Sequence, residues 1–352
     1  MGNMIRNPDS MYISELEALL AELGEPSYRA RQIFSWFHAK DAVSYEQMTD
    51  LSKALRERLS AGYPPAGLTA VKMLESAIDG TRKYLFRLGD GNVIESVRMI
   101  YEHGVSVCVS TQAGCRMGCR FCASTIDGLA RSLTASEIAG QVYSIRRDCG
   151  QRVSHVVFMG SGEPLENFDE TVRAIRLLSD PAGQQISQRN MTLSTCGLVP
   201  GIYDLAKEDL AITLAISLHA ANDALRAKLM PVASRYTLDE LMAACRAYFD
   251  STGRRVSFEY ALFDGVNDSE EDAARLAALI GGMNAHVNLI PANPVKERNY
   301  ARPGSGRVLR FYKKLEKCGI NVTIRREMGA DIQGACGQLR KSYKDTDQET
   351  KE

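Results

Sequence analysis

The 352-residue chain lacks any long apolar run. None reaches the roughly 18 residues that a membrane-spanning helix requires. The first ten residues, MGNMIRNPDS, are polar, so no secretory leader is expected. The Met-Gly opening misses the myristoylation pattern, because Arg6 stands where Ser or Thr is needed. Net charge is absent too. Forty-three basic residues balance 43 acidic ones, so composition gives no general pull toward nucleic acid, and any such partner must be sought in local patches. The expected address is the cytoplasm. Nine cysteines in a chain with no export signal therefore argue for metal binding or catalysis rather than a disulfide scaffold.

What is present is a change of period along the chain. Leu16, Leu19, Leu20 and Leu23 repeat at helical spacing until Gly24-Glu25-Pro26. Further helices are predicted over 28–37 and 52–59. The runs 83–88 and 93–97 flank Gly89-Asp90-Gly91, a hairpin signal. From residue 105 short apolar runs (105–109, 155–159, 191–195, 212–218, 256–262, 286–290, 322–324) alternate with amphipathic stretches such as 134–147, 238–248 and 270–280. That rhythm predicts an α/β fold, a full or partial barrel of parallel strands with helices outside. The expected division is a helical accessory domain over 1–75, a β-hairpin extension over 76–104, the barrel core over 105–340 and a frayed tail over 341–352.

Between Gly114 and Cys122 three thiols are spaced C-x3-C-x2-C, at Cys115, Cys119 and Cys122. They follow a predicted strand, in a loop with two glycines, and a loop lets thiolates converge as a strand cannot. Soft thiolates select zinc, copper(I) or an iron–sulfur cluster. A structural zinc site calls for a fourth ligand nearby, yet no His lies between 104 and 154 and the next cysteine is Cys149. Three ligands leave one iron of a cubane open for the amino and carboxylate groups of S-adenosylmethionine. The pattern, with Phe121 before the last cysteine, resembles the radical S-adenosylmethionine (radical SAM) superfamily. Gly160-Ser161-Gly162-Glu163-Pro164, one strand later, is similar to its glycine-rich segment. By themselves Cys108 and Cys336 read as buried thiols, although glycine after Cys336 favours an accessible one.

The resemblance then narrows. The segments 108–125 (CVSTQAGCRMGCRFCAST), 160–168 (GSGEPLENF), 194–197 (STCG), 216–220 (ISLHA), 254–268, 286–294 (HVNLIPANP) and 322–340 (VTIRREMGADIQGACGQLR) resemble the RlmN/Cfr family of RNA adenine methyltransferases, over about residues 10 to 344. Pro164 matches the RlmN branch, where the Cfr branch has alanine. The resemblance implies a partial (β/α)6 barrel and a [4Fe-4S] cluster on Cys115, Cys119 and Cys122. It implies S-adenosylmethionine bound by Gly162, Glu163, Ser194, Ser217, Leu218, His219 and Asn293. It makes Cys336 the methylated residue, Cys108 the resolving thiol and Glu95 a proton acceptor. The implied reaction is methylation at carbon 2 of adenine 2503 in 23S rRNA and adenine 37 in tRNA. It uses two S-adenosylmethionine molecules and passes through a covalent protein–RNA intermediate closed by a transient Cys108–Cys336 disulfide.

The partners so implied are 23S rRNA, tRNA and a reductant such as a flavodoxin or ferredoxin system, with the enzyme a monomer. Candidate phosphate contacts are Lys296, Arg298, Arg302, Arg307, Arg325, Arg326, Arg340 and Lys341 around Tyr300, and Arg29, Arg31, Lys53, Arg56 and Arg58 in the helical domain. Cys149, Cys196, Cys245 and Cys318 are expected to pack. A Cfr-type C8 methyltransferase and a zinc-binding RNA protein remain the alternatives at this stage.

Overall fold

The structure is a computed structural model that describes residues 7–339; the expected tail, Arg340 and Lys341 lie outside the described residues. Three helices come first, α1 (Ile13–Glu22), α2 (Tyr28–His38) and α3 (Lys53–Gly62). An antiparallel ribbon follows, β1 (Leu68–Glu75), β2 (Arg82–Leu88), β3 (Val93–Tyr101) and β4 (Gly104–Cys108), with Gly89-Asp90-Gly91 at the expected turn. The ribbon thus starts at Leu68, inside the stretch expected to be helical. β1 is an exposed edge strand without clean alternation, so its sequence carries no strand period.

β4 opens the parallel part. A small hairpin, β5 (Gln112–Gly114) and β6 (Leu129–Ser132), precedes α4 (Ala135–Cys149). Then come β7 (Val153–Phe158), α5 (Phe168–Ser179), β8 (Met191–Thr195), α6 (Val199–Leu205), β9 (Thr213–Ser217), α7 (Asp223–Leu229), α8 (Leu238–Thr252), β10 (Val256–Leu262), α9 (Glu270–Ile280), β11 (Ala285–Pro291), α10 (Ser305–Lys317) and β12 (Val322–Ile324). Across the described residues the main sheet runs in the order β1-β2-β3-β4-β7-β8-β9-β10-β11-β12, parallel from β4 onward. Edge strands β1 and β12 do not meet, so the barrel is partial, and β12 is the seventh of the apolar runs, one strand beyond the six that the resemblance implies.

Local signals explain the helix boundaries. Thr134 and Thr237 accept from the third helical N–H of α4 and α8, while Glu137 and Glu240 reach back. Gly150 and Gly253 end the same helices in the left-handed region, at φ 64° each. Within the strands, alternation sends Met191, Leu193 and Thr195 of β8 into the buried layer and leaves Thr192 and Ser194 on the more open lumen face. Buried Gln141 of α4 ties the strands' exits together. Its Oε1 accepts from the Ser110 N–H (2.9 Å) and Ser96 Oγ (2.6 Å), and its Nε2 donates to the Ser110 carbonyl (2.9 Å).

The helical domain and the barrel share one hydrophobic core. Their junction is also polar. Arg173 forks onto Glu15, Asp41 pairs with Arg146 at 3.0 Å, and His38 Nδ1 lies 2.8 Å from the Tyr143 hydroxyl. Among the described residues no helix is long and apolar enough to cross a membrane.

Burial holds His38 neutral by pushing it down to about 3. Below about pH 6.5 the unfolded chain takes up a proton that the folded one refuses. Stability should therefore fall by about 1.4 kcal/mol per pH unit on acidification until the folded group itself titrates. A His38→Gln variant, which keeps a hydrogen-bonding group toward Tyr143, lacks this slope. Urea unfolding at a series of pH values checks it: the stability gap between wild type and variant should narrow as pH falls, and parallel profiles would refute the assignment.

Candidate active site

The C-terminal ends of the parallel strands open on one cavity of about 1020 Å³, mouth included. The cysteine loop enters it after β5. Gly114 is left-handed at φ 80°, and a Cβ there would stand 2.0 Å from the Gly128 carbonyl oxygen, so only glycine permits the loop's return against β6. Arg120 N–H donates to the Leu229 carbonyl, and Thr125 Oγ1 donates to the carbonyls of Cys119 and Cys122. Cys119 is packed with Cys196, Met230, Phe263 and Ala292, and Phe121 stacks edge-on against His219 at 4.8 Å. The thiols thus sit in a largely apolar sleeve.

Cys115, Cys119 and Cys122 all line this cavity. Burial pushes Cys115 up to about 12, Cys119 well above its ordinary value and Cys122 upward; neighbouring loop thiols add to the first two shifts and Cys336 to the third. Three thiolates in such surroundings need a cation among them. Among the described residues no three His, Cys, Asp or Glu side chains gather as ligands to a single metal ion. Three soft thiols lining one cavity suit an iron–sulfur cluster, whose ligands bind different irons.

The other wall comes from the strand exits. Gly162, Glu163, Ser194, Ser217, His219 and Asn293 line the same cavity as the three cysteines. Glu163 is buried, and desolvation pushes its carboxyl upward, opposed by N–H donors from Cys196 (2.8 Å) and Leu165 (3.1 Å). His219 is left-handed at φ 58°, and its Nδ1 accepts from the Ala261 N–H at 2.9 Å. Burial, with Arg226 adding, pushes it down to about 3, so the ring is neutral. Leu218 differs: its side chain goes into the core rather than the cavity, leaving its backbone near the site.

Cys336 stands in the wall shared with a second cavity of about 590 Å³, which Cys108 also lines. Burial pushes the Cys108 thiol up to about 12; the neighbouring Cys336 sulfur adds to this and Arg325 opposes it. Asn293 Nδ2 donates to the Cys336 carbonyl at 3.1 Å. Glu95 lies on the β3 face that carries Val97 and Met99 into the second cavity, yet it lines neither cavity; its carboxylate is 3.4 Å from Lys83 Nζ.

Several basic residues expected to face RNA also have partners within the chain. Arg298 donates to the Cys122 carbonyl (3.2 Å) and Thr125 Oγ1 (2.9 Å), clamping the cysteine loop. Arg302 pairs with Glu327, Arg307 with Asp264 and Asp268, and half-buried Arg325 stands 3.6 Å from Glu259 in the wall between the cavities. Arg56 and Arg58 donate to the Glu46 and Leu23 carbonyls, Arg29 pairs with Glu25, and Lys53 lies 3.8 Å from Glu57. Cys318 is exposed and Cys149 half-exposed, so neither is the buried packing residue expected, whereas Cys196 and Cys245 are buried. Sequence reasoning missed Arg226. This buried guanidinium donates to the carbonyls of Cys196 (2.7 Å), Leu218 (3.3 Å) and Ser217 (3.3 Å), holding two strand exits in place. A lone arginine on a short helix gives no sequence signal for such a role.

Comparison with known proteins agrees with this geometry. Residues 109–277 match the profile of the radical SAM superfamily, and residues 10–63 match that of the ribosomal RNA large subunit methyltransferase N-terminal domain. The chain is 55% identical over 334 residues to a probable dual-specificity RNA methyltransferase RlmN of Lachnospira eligens, covering 95% of each protein. It is 52% identical over 339 residues to the protein of the same name from Symbiobacterium thermophilum, covering 94% of this chain and 90% of that one. A crystal structure of a radical SAM methyltransferase from Sphaerobacter thermophilus superposes with a TM-score of 0.92 at 46% identity, covering 96% of this chain and 99% of that one.

Gly162 has φ 109°, and a Cβ there would lie 2.6 Å from Gln112 Cβ. Gly162→Ala must therefore displace the loop that carries Glu163. Affinity for S-adenosylmethionine should fall by about tenfold or more, from roughly 1–3 kcal/mol of backbone strain. Calorimetric titration of the anaerobic protein measures it, and an unchanged affinity would show that the close approach is not needed for binding.

Proposed function

This chain belongs to the RlmN family of radical SAM RNA methyltransferases, and from that premise we propose how its own residues divide the reaction. The activity is methylation of adenine carbon 2, at adenine 2503 of ribosomal RNA and adenine 37 of transfer RNA, with a [4Fe-4S] cluster and S-adenosylmethionine. Adenine carbon 2 is electron-poor and bears no acidic proton, so it cannot attack a sulfonium methyl directly. The observation that carries the assignment is Cys336 in the wall between two cavities, with the three-cysteine loop on one side and Cys108 on the other.

Cys115, Cys119 and Cys122 would hold the cluster, and Gly162, Glu163, Ser194, Ser217, His219 and Asn293, with the backbone of Leu218, would cradle S-adenosylmethionine. Bound there, the two groups supply a hydrogen-abstracting radical by one-electron cleavage of the sulfonium. Glu163 suits the methionine amino group: a buried carboxylate already anchored by two backbone N–H groups presents its remaining lone pairs at little entropic cost. Neutral His219, pinned through Nδ1 to strand β10, cannot repel a sulfonium as an imidazolium would.

Cys336 is the methyl acceptor. Its sulfur displaces S-adenosylhomocysteine from one S-adenosylmethionine, and the S-methyl group, after losing a hydrogen atom, becomes the carbon that joins adenine carbon 2. The adduct radical so formed gives back one electron to the reducing centre, and the proton on adenine carbon 2 goes to Glu95, which must part from Lys83 to reach the base. Cys108 then attacks the Cys336 sulfur. The S–S bond forms as the C–S bond breaks, and the released carbon keeps the electron pair and takes a proton to become the methyl group. The buried Cys108 thiol is held protonated until the adduct forms beside it, which limits premature oxidation. External reduction of the disulfide resets the pair. The RNA and a reductant are the required partners; a flavodoxin or ferredoxin system, a monomeric enzyme and a cytoplasmic site of action complete the proposal.

The division of labour between the two thiols is directly testable. Cys108→Ala should accumulate a covalent protein–RNA adduct, visible as a band on a denaturing gel that nuclease collapses, whereas Cys336→Ala should form none. Equal adduct yields from the two variants would overturn the assignment.

A further inference from the structure

The loop carrying Cys336 is held at both ends. Downstream, the Gly337 carbonyl accepts from Ala123 N–H at 2.8 Å and the Leu339 carbonyl accepts from Ser124 Oγ at 2.6 Å, so this end follows the cysteine loop. Upstream, its partners are the turn between β1 and β2 and the first residues of β2. Gly329 N–H donates to Asp79 Oδ2 at 2.9 Å, Ala77 N–H donates to Asp331 Oδ2 at 3.0 Å, and Lys83 Nζ donates to the Gln333 carbonyl at 3.3 Å. The fit is close as well as polar: a Cβ on Gly329, at φ 63°, would stand 2.9 Å from Thr81 Cγ2.

The register of the ribbon gives these contacts their meaning. Lys83 on β2 pairs with Val97 on β3, and Val97 pairs with Cys108 on β4, so the three side chains lie in one row on one face. The lysine that grips the Cys336 loop is thus two strands away from the thiol that must meet Cys336. Strand spacing of about 4.8 Å makes that offset roughly 10 Å, fixed by backbone hydrogen bonds rather than by side-chain packing. The same ribbon carries Glu95, the ion-pair partner of Lys83.

We propose that the β1–β2 turn and Lys83 form an anchor that sets the reach of Cys336 between the two cavities, with Asp79 and Asp331 as positioning residues for methyl acceptance. The proposal rests on Cys336 being the methyl acceptor. The downstream contacts and the Asn293 bond to the Cys336 carbonyl fix the loop from Cys336 onward. The upstream anchor fixes its approach over 329–333, so that one sulfur faces the first cavity while staying within the range of Cys108. Asp79 and Asp331 touch neither cavity and act only through the loop.

The test uses the full-length, cluster-loaded protein. In the Asp79→Ala/Asp331→Ala double variant, amide hydrogen exchange over 329–339 should rise while the rest of the chain is unchanged. The fraction of Cys336 carrying a methyl group, read from peptide mass, should fall by about tenfold, the scale of loss from a displaced reacting group. Iron content should stay at the wild-type value. Asp331→Asn, which keeps an oxygen acceptor for Ala77 N–H, should match wild type in both readouts, which a generally weakened fold would not do. Unchanged exchange over 329–339 would overturn the anchor, and faster exchange with undiminished methylation would overturn its positioning role. A wild-type protein with no methyl on Cys336 would instead sink the reading of that cysteine, while the exchange measurement still judges the anchor.

Discussion

The exits of β4 and β7 run so close together that no side chain fits between them. A Cβ on Gly160 would stand 2.7 Å from the Ser110 backbone nitrogen, and one on Gly162 2.6 Å from Gln112 Cβ. This contact sets the relation between the cysteine loop, which continues from β4 through β5, and Glu163, which continues from β7. It is secured by hydrogen bonds that alternate across the gap: Thr111 and Gln112 N–H donate to the Ser161 carbonyl, Ser161 N–H donates to Ser110 Oγ, and Glu163 N–H donates to Gln112 Oε1. Gln141 holds the same segment from behind. On the proposed reading, the methionine end of the cofactor would meet both the cluster iron and Glu163, so the cysteine loop and Glu163 need a constant separation, and here rigid backbone supplies it.

The electrostatics of the first cavity follow from how dry it is. Burial opposes ionisation of all three loop thiols and of Glu163, so a cation bound among them would favour their charged forms. Arg226 and Arg298 relieve part of the burden without entering the cavity. Each spends its donors on backbone carbonyls, Arg226 at the exits of β8 and β9 and Arg298 at the cysteine loop, so they stiffen the frame more than they charge the site. Arg325 is different: it stands in the wall between the cavities beside Glu259, and its charge favours the thiolate form of both Cys336 and Cys108.

What the sequence made legible were features whose cause is local. The amphipathic stretches 134–147 and 238–248, the turn at Gly89-Asp90-Gly91 and the C-x3-C-x2-C loop each announce themselves within a few residues, and the strand rhythm gave the barrel. What stayed hidden depends on partners far along the chain. Arg298, Arg302 and Arg307 read as a basic, RNA-facing loop until the fold brings Cys122, Glu327 and Asp268 to them. β1 hid because it is an exposed edge with no alternation, and Cys108 and Cys336 could be linked only by resemblance, since 227 residues lie between them in sequence.

This internal use of arginine bears on how RNA is recognised. A chain without net charge exerts no long-range pull on a polyanion, and most of the candidate cations around the cavity mouth are already paired. Lys296 and Arg326 remain exposed there, and Arg31 remains exposed on the helical domain. Where few phosphates are contacted, affinity depends only shallowly on salt and shape carries more of the recognition. On the proposed reading of Cys336 an adenine edge must pass between the cavity walls, which a stacked, paired base cannot do, so either the RNA presents that adenine unstacked or the enzyme draws it out of the stack.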